Sequence, residues 1–331
     1  MPPSDHRILI IGCGELGSRH LQAVAGLAEV GEIQVVDPRP EALQLGKERL
    51  GEIEPANRGA AIRWLPSLRE AAPGSDLCVV ATRAQERPAL AREAADLLGV
   101  RSFLLEKWVA PSVEQIEELN EFMEERGLSA WVNLKTRAYP FHRRAKGFLD
   151  PGEPVFLSVA GGNLGLANNG IHAADLFVFY AGPTRVEGAG SSIDPVLHPS
   201  KRGGDLFDLS GTLLGVTEGG SRFTLSYTGD PDSAEVYSLK APRYRFIVDH
   251  FQRWAVESDA DSGWRWRSVP FEGDLRVSSM TGQFVRGILA GAGCPLPTLE
   301  ESLISHRFVL EELRPHFNRL MERQSDLCPV P

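Results

Sequence analysis

Two rhythms of apolar and polar positions run along the chain, and one gives way to the other near residue 150. In the first part, short unbroken apolar runs predict strands over 7–11, 32–37, 61–64, 76–81, 101–105 and 129–134. Between them, apolar residues recur every three or four positions and predict helices over 15–27, 40–50, 67–72, 85–98 and 112–126. Unbroken apolar strands alternating with amphipathic helices suit a parallel sheet covered on both faces, because each strand then buries both sides. From Pro151 onward the period shortens to two, with Gly-rich turns, over 155–160, 207–217, 222–228, 234–239 and 243–249. One-sided strands of this kind predict an open, mainly antiparallel sheet. Helices are expected over 275–291 and 298–321, then a frayed tail at 326–331, while the segment Trp254 to Trp266 fits neither rhythm. The chain therefore reads as α/β, with a doubly wound parallel sheet in residues 1–127 and a second α/β domain in 128–331.

The first strand runs into Gly12-Cys13-Gly14-Glu15-Leu16-Gly17, and a helix follows at once. Gly12 permits a tight turn, Gly14 lets a pyrophosphate approach the backbone, and Gly17 lets the helix lie close on the strand. The positive end of that helix then faces the phosphates. Three spaced glycines arise easily by chance; the strand before and the helix after make the pattern specific. The second strand ends in Asp37, about 20 residues past Gly17, where a carboxylate accepts hydrogen bonds from the adenosine ribose. Residues 1–127 thus read as a dinucleotide-binding Rossmann domain, with Gly12, Cys13, Gly14, Glu15, Leu16, Gly17, Asp37 and Arg39 at the cofactor. NAD is expected over NADP because the Asp37 carboxylate repels a 2′-phosphate, and Arg39 is the guanidinium that can offset the clash and admit NADP.

The composition, 331 residues with 42% hydrophobic and a net charge of −9, fits a two-domain enzyme and lacks the basic footprint of a nucleic-acid binder. No apolar run approaches the roughly 20 residues that span a bilayer. The N-terminal stretch Met1-Pro2-Pro3-Ser4-Asp5-His6 lacks the charged and apolar regions of a signal peptide, so no membrane partner and a cytoplasmic location are expected. Cysteines at 13, 78, 294 and 328 show no metal spacing, and a disulfide at Cys13 would block the phosphate loop. Reduced thiols and no bound metal follow as expectations.

The fourth strand ends in Val80-Ala81-Thr82 and the fifth in Leu105-Glu106-Lys107. In a doubly wound sheet both carboxyl ends open onto the crevice that holds the dinucleotide, so Ala81, Thr82, Glu106 and Lys107 are expected there, Lys107 near the nicotinamide. In the second domain, the run Asn168 to Asp175 leads into an apolar helix on which His172 and Asp175, three positions apart, share one face. Two readings stay open: a core histidine hydrogen-bonded to Asp175, or a group of the functional site. A metal site is disfavoured, because no other His or Cys lies nearby and catalytic zinc usually takes three protein ligands.

The chain resembles the Gfo/Idh/MocA oxidoreductases over nearly its whole length. The resemblance rests on Gly12-Cys13-Gly14-Glu15-Leu16-Gly17-Ser18-Arg19-His20, Ala81-Thr82, Glu106-Lys107, Arg137-Ala138-Tyr139-Pro140 and the run Asn168 to Leu176. It implies a Rossmann domain joined to an open-faced α/β domain, assembly as a homodimer or homotetramer through the second sheet, and hydride transfer between a nicotinamide and a carbinol carbon. By the same resemblance Lys107 matches the catalytic lysine, His172 the acid/base histidine, and Asn168 stands where the family has an aspartate. Lys135, Arg137, Asn163, Asp175, Lys201 and Arg202 are then candidates for holding substrate hydroxyls, a carboxylate or a phosphate. The family reads Glu-Lys-Pro where this chain has Glu106-Lys107-Trp108. Without the proline the Lys107–Trp108 peptide is expected trans, since a non-proline cis bond costs about 2.5–4 kcal/mol. The stretch Gly162 to Asp175 is similar to the branch linked to bacterial surface polysaccharide and nonulosonic acid biosynthesis, which implies a sugar or sugar-derivative substrate. Two other readings stand beside the dehydrogenase: a glycosidase that oxidises its sugar transiently with NAD, and a dinucleotide-sensing regulatory protein without turnover.

Overall fold

A computed structural model describes residues 6–53, 59–162, 165–200, 203–229 and 233–331. The chain forms two compact units, one of Met1–Ala110, Glu114–Asn133 and Asp274–Leu299, the other of Pro111–Val113, Leu134–Gly273 and Glu300–Pro331. The single boundary expected after residue 127 gives way to a re-entrant arrangement, in which the chain comes back to the first unit after building most of the second.

The first unit runs β1 (His6–Ile11), α1 (Gly17–Ala25), β2 (Val30–Val36), α2 (Pro40–Gly51), β3 (Ala61–Leu65), β4 (Leu77–Val80), α3 (Arg87–Leu98), β5 (Ser102–Leu105), α4 (Val113–Glu125) and β6 (Ser129–Val132). Its sheet has the order β3-β2-β1-β4-β5-β6, and every pair is parallel. The order reverses between β1 and β4, and the crevice at their carboxyl ends is where such a sheet takes a dinucleotide. Ile8 to Ile11 of β1 and all of β4 are buried, as strands covered on both faces must be. The helix expected over 67–72 shrinks to a single 3-10 turn, Leu68–Glu70, because Pro73 removes a donor and turns the residue before it away from helical geometry.

Next come α5 (Pro140–Lys146), β7 (Phe156–Gly162), α6 (Gly170–Ala181), and the short strands β8 (Glu187–Gly188), β9 (Ser192–Ile193), β10 (His198–Pro199) and β11 (Phe207–Asp208). Then follow β12 (Gly211–Val216), β13 (Arg222–Thr228), β14 (Val236–Lys240), β15 (Tyr244–Asp249), β16 (Trp254–Asp259), β17 (Arg267–Val269), α7 (Val277–Leu289) and α8 (Leu299–Leu320). The second sheet has the order β17-β16-β15-β14-β7-β13-β12-β8, with β9 also on β12, and only the β7–β13 pair is parallel. Leu157, Val159, Phe223, Leu225, Tyr227 and Tyr237 are buried on one face, where Phe177 of α6 stacks on Phe223 with ring centres 5.2 Å apart. Phe156, Lys240 and Trp254 on the opposite face are exposed. The strand expected over 207–217 is broken: β11 pairs with β10, and Gly211 has a φ of +124° and approaches Ser192 so closely that a Cβ would lie 2.4 Å from its carbonyl oxygen. Nor does the tail fray. Cys328 and Val330 are buried, the Cys328 N–H donates to Pro111 O at 2.9 Å, and the Phe207 N–H donates to Pro329 O at 3.1 Å.

Helix α7 belongs to the first unit because it packs on α1. Gly282 permits the approach, since a Cβ there would lie 3.3 Å from Ala23 O. Met280, Phe284 and Val285 are buried in this helix, and each such side chain contributes about 1.5–3 kcal/mol when fully removed from water.

Candidate functional site

At the carboxyl end of β1, Gly12 has a φ of +90°, and a Cβ there would lie 2.9 Å from both Ala81 C and Thr82 Cγ2. The turn exists because the side chain is absent. At Gly17 a Cβ would fall 1.8 Å from Gly12 O, the close strand–helix contact that the spacing predicted. Arg49 of α2 clamps the loop from outside, donating to Glu15 O and Ser18 Oγ at 2.6 Å each and pairing with the Glu15 carboxylate. The Cys13 N–H donates to Asp37 Oδ2 at 2.8 Å, while its thiol fills the space left by Gly46, where a Cβ would lie 2.4 Å from Sγ. Burial, and then the Asp37 charge, pushes the Cys13 thiol up to about 12, so it is inert packing rather than a ligand. All four cysteines are free thiols. The Thr82 hydroxyl, at the end of β4, is buried and hydrogen-bonds to nothing among the described residues. The glycine cradle, this hydroxyl and the Asp37 carboxylate at the end of β2 together fit a dinucleotide.

Glu106 and Lys107, at the end of β5, are both buried. Glu106 was expected to meet the cofactor, but its carboxylate turns into the protein. It accepts from His20 Nε2 at 2.8 Å and from Asn133 Nδ2 at 2.6 Å, and His20 Nδ1 lies 2.8 Å from Thr281 Oγ1 of α7. Burial alone would raise the Glu106 carboxyl; the hydrogen bonds and charge of its partners outweigh that and hold it well below the usual carboxylate range. The Lys107 N–H donates to Glu106 Oε2 at 3.3 Å, so Glu106 acts as an anchor for the lysine's backbone. The Lys107–Trp108 peptide is cis, not trans as expected: Trp108 is fully buried, and its packing prevails over the local backbone preference. The sequence reading gave no role to His20, Asn133 or Arg49. His20 sits three residues past Gly17, the one local sign of its place.

In the second unit, the first turn of α6 lies close on β13, since a Cβ at Gly170 would be 3.1 Å from Leu225 Cδ2. His172 is half-buried in that turn, and its N–H donates to Asn169 O at 2.9 Å. Asp175 is not its partner. The Asp175 carboxylate receives Arg137 Nε at 2.8 Å and Nη2 at 2.7 Å, and Arg137 Nη1 continues to Glu301 Oε1 at 2.6 Å. Burial pushes the Asp175 carboxyl up to about 6 against the pull of Arg137, so the pair is charged at neutral pH. Arg137 and Asp175, expected to hold substrate, are satisfied by each other and fasten the turn Lys135–Ala138 to α6. Within that turn Lys135 Nζ donates to the Tyr139 hydroxyl at 2.6 Å.

Asn168 and Asn169 line a cleft together with His198, Asp208, Ser210 and Thr228. Asp208 Oδ1 accepts from the Ala167 and Leu209 N–H groups at 2.7 and 2.8 Å. His198 Nε2 lies 3.0 Å from Ser210 Oγ, which donates to Asp194 Oδ2 at 2.6 Å. His198 and Asp208 were missed because they arrive on the β10–β11 ladder, too short to leave a periodic signature. Asn163, Lys201 and Arg202 lie outside the described residues. Among the described residues no group of His, Cys, Asp and Glu comes together to hold a metal ion, and no helix is long and apolar enough to cross a membrane.

Elsewhere in the same unit, His142 is buried with half-buried His250 beside it. His142 Nε2 and His250 Nε2 are 3.0 Å apart, which requires one protonated and one bare nitrogen, and His142 Nδ1 lies 2.7 Å from the Tyr180 hydroxyl. Burial, and then His250, holds His142 well below its usual range; burial, and then Lys135, pushes His250 down to about 3. The unfolded chain takes up protons near pH 6.5 that the folded chain refuses. This stabilising contribution is therefore complete above about pH 6.5 and is lost as pH falls toward the folded values, by up to about 1.4 kcal/mol per pH unit per group. Glu235, pushed up to about 7 chiefly by burial, acts in the opposite sense. Unfolding free energies of the wild type and of His250→Gln, compared at each pH between about 7 and 4, should differ in slope, the variant losing less on acidification; parallel slopes would sink the prediction.

No curated protein matches the chain. Among solved structures, the UDP-N-acetylglucosamine 3-dehydrogenase of Acidithiobacillus ferrooxidans is similar with a TM-score of 0.71 and 17% identity, covering 92% of this chain and 95% of its own. A 3-ketoreductase of Actinomadura kijaniata in complex with NADP gives 0.68 and 19%, with coverage of 92% and 95%. An oxidoreductase of Agrobacterium radiobacter in complex with NAD+, L-tartaric acid and magnesium gives 0.71 and 15%, with coverage of 92% and 94%. At these identities the likeness is one of fold. Residues 6–134 match the model of the Gfo/Idh/MocA oxidoreductase family with an NAD-binding Rossmann fold.

Proposed function

We propose that the chain is a dehydrogenase or reductase of a sugar, cyclitol or sugar derivative, moving a hydride between nicotinamide and a carbinol carbon. The observation that carries this reading is Lys107, an ammonium only 4% exposed at the carboxyl end of β5 in a dinucleotide-binding sheet. Lysines are rarely buried without a reason of this kind. When bound, NAD supplies the hydride acceptor. In the oxidation direction His172 is read as the group that takes the hydroxyl proton, and the Lys107 ammonium as the group that stabilises developing negative charge. Asn168 donates or accepts hydrogen bonds but carries no charge, unlike the family's aspartate. In the cleft at the start of α6, His198 and Asp208 are suited to holding substrate hydroxyls.

The similarity to a UDP-N-acetylglucosamine 3-dehydrogenase and a 3-ketoreductase supports sugar derivatives as the first substrates to try. The purified protein with NAD should form NADH in step with oxidation of one member of a sugar-nucleotide and polyol panel. Glycosidic cleavage without net NADH, or tight NADH binding without turnover on any member, would overturn the dehydrogenase in favour of the glycosidase or the regulatory protein. The first unit is read as the cofactor domain and the second as the substrate and assembly domain. Its exposed sheet face, with Phe156 and Trp254, is read as pairing with a second copy in a cytoplasmic homodimer or homotetramer. A monomer by sedimentation would remove that assembly.

A further inference from the structure

We propose that Asp194 and Ser210 hold His198 in a single tautomer, and that His198 Nδ1 is thereby the acceptor that selects a hydrogen-bond donor on the substrate, a hydroxyl or an amide N–H. The inference rests on the reading of the cleft at the start of α6 as the substrate's place, and concerns which group that cleft takes. The Asp194 carboxylate can only accept, so the hydrogen bond of 2.6 Å to its Oδ2 engages the single hydrogen of the Ser210 hydroxyl. Ser210 Oγ then meets His198 Nε2, 3.0 Å away, with a lone pair, and Nε2 must carry the hydrogen between them. In a neutral imidazole the other nitrogen, Nδ1, is left bare. It makes no hydrogen bond among the described residues.

The backbone keeps these three side chains in place. The Asp194 N–H donates to Ser210 O at 3.0 Å, next to the pairing of Ser192 and Ile193 with Thr212 and Gly211 that joins β9 to β12. Ser210 is buried, so its hydroxyl is held by Asp194 and His198 rather than by water. His198 stands directly opposite Asp208 in the β10–β11 ladder, which puts both side chains on one face, and both line the cleft with Asn168 and Thr228. Two acceptors thus stand side by side there, the bare Nδ1 and the Asp208 carboxylate. A substrate hydroxyl or acetamido N–H completes Nδ1. A ketone, carboxylate or phosphate at the same point brings lone pairs against lone pairs, and an analogue without the donor leaves the acceptor unfilled.

Nitrogen NMR of the histidine-labelled protein at about pH 8, above the usual histidine range, reads the tautomer directly. The His198 resonances are identified by their absence from His198→Asn. The wild type should be protonated at Nε2 and bare at Nδ1, and Ser210→Ala should turn His198 into a mixture of tautomers. Added with NAD, a member of the sugar-nucleotide and polyol panel that is oxidised should move the Nδ1 resonance. On that substrate His198→Ala should raise KM about threefold to tenfold and leave kcat within about twofold, the scale of one hydrogen bond made equally in ground and transition states. His198→Asn, whose amide oxygen can accept in place of Nδ1, should recover part of the loss. A wild type protonated at Nδ1, or a tautomer that Ser210→Ala leaves unchanged, would overturn the proposal. So would oxidation of a panel member that does not move the Nδ1 resonance, or a His198→Ala enzyme that loses kcat with KM unchanged, and both results leave the dehydrogenase reading standing. A shifted Nδ1 resonance without NADH formation on any member would overturn that reading alone, and neither shift nor NADH would overturn both.

Discussion

Arg137→Ala is expected to lower the stability of the second unit by about 3–5 kcal/mol, the usual cost of removing one partner from a buried ion pair. Arg137 is 3% exposed and Asp175 fully buried, so the carboxylate left behind has neither its counter-ion nor water. Glu301 loses its ion pair with Arg137 as well, and Phe179 loses the guanidinium 5.3 Å from its ring centre. The loss should grow with pH. The Asp175 carboxyl, already at about 6 with Arg137 present, rises further without it, so at low pH the group goes neutral and the penalty shrinks. A raised folded pKa gives stability that is present in acid and lost as pH climbs through it. Urea unfolding followed at about pH 5 and pH 8 would show this, and a loss under about 1 kcal/mol at pH 8 would mean that water reaches Asp175 in the variant.

Lys107→Ala and His172→Ala should each reduce turnover on the true substrate by a factor of about 10² or more, the scale for deleting a positioned electrostatic or acid/base group. His172 belongs to the second unit, so its loss should leave NADH affinity almost unchanged. A His172→Ala enzyme with near-normal turnover would make His172 a packing histidine and remove it from the reaction.

Much of the first unit could be read before folding, because its determinants are local. Gly12, Gly17 and Asp37 work through the backbone they sit in, and the unbroken apolar runs of β1 and β4 declare two-sided burial without reference to anything distant. The groups that hold the candidate site in shape were invisible for the opposite reason. His20, Glu106, Asn133 and Thr281 come from four separate segments, and nothing near Glu106 says that its carboxylate will face inward. Arg137 and Asp175 were recognised as charged neighbours of a site but assigned to a ligand, since a sequence does not show that each is the other's partner. The frayed tail failed similarly. Asp326 to Pro331 reads as polar and proline-rich, yet main-chain hydrogen bonds to Pro111 and from Phe207 fix its end.

The return of α7 to the first unit sets an order on biosynthesis. An N-terminal nucleotide domain ordinarily completes itself while the rest of the chain is still being made. Here the face of α1 that receives Gly282, and the Thr281 hydroxyl beside His20, wait for residues near the end of the chain. Until Asp274–Leu299 has left the ribosome, the nascent first unit carries an uncovered apolar stripe on α1, and translation arrested after residue 134 would leave a sticky intermediate rather than a finished cofactor-binding module.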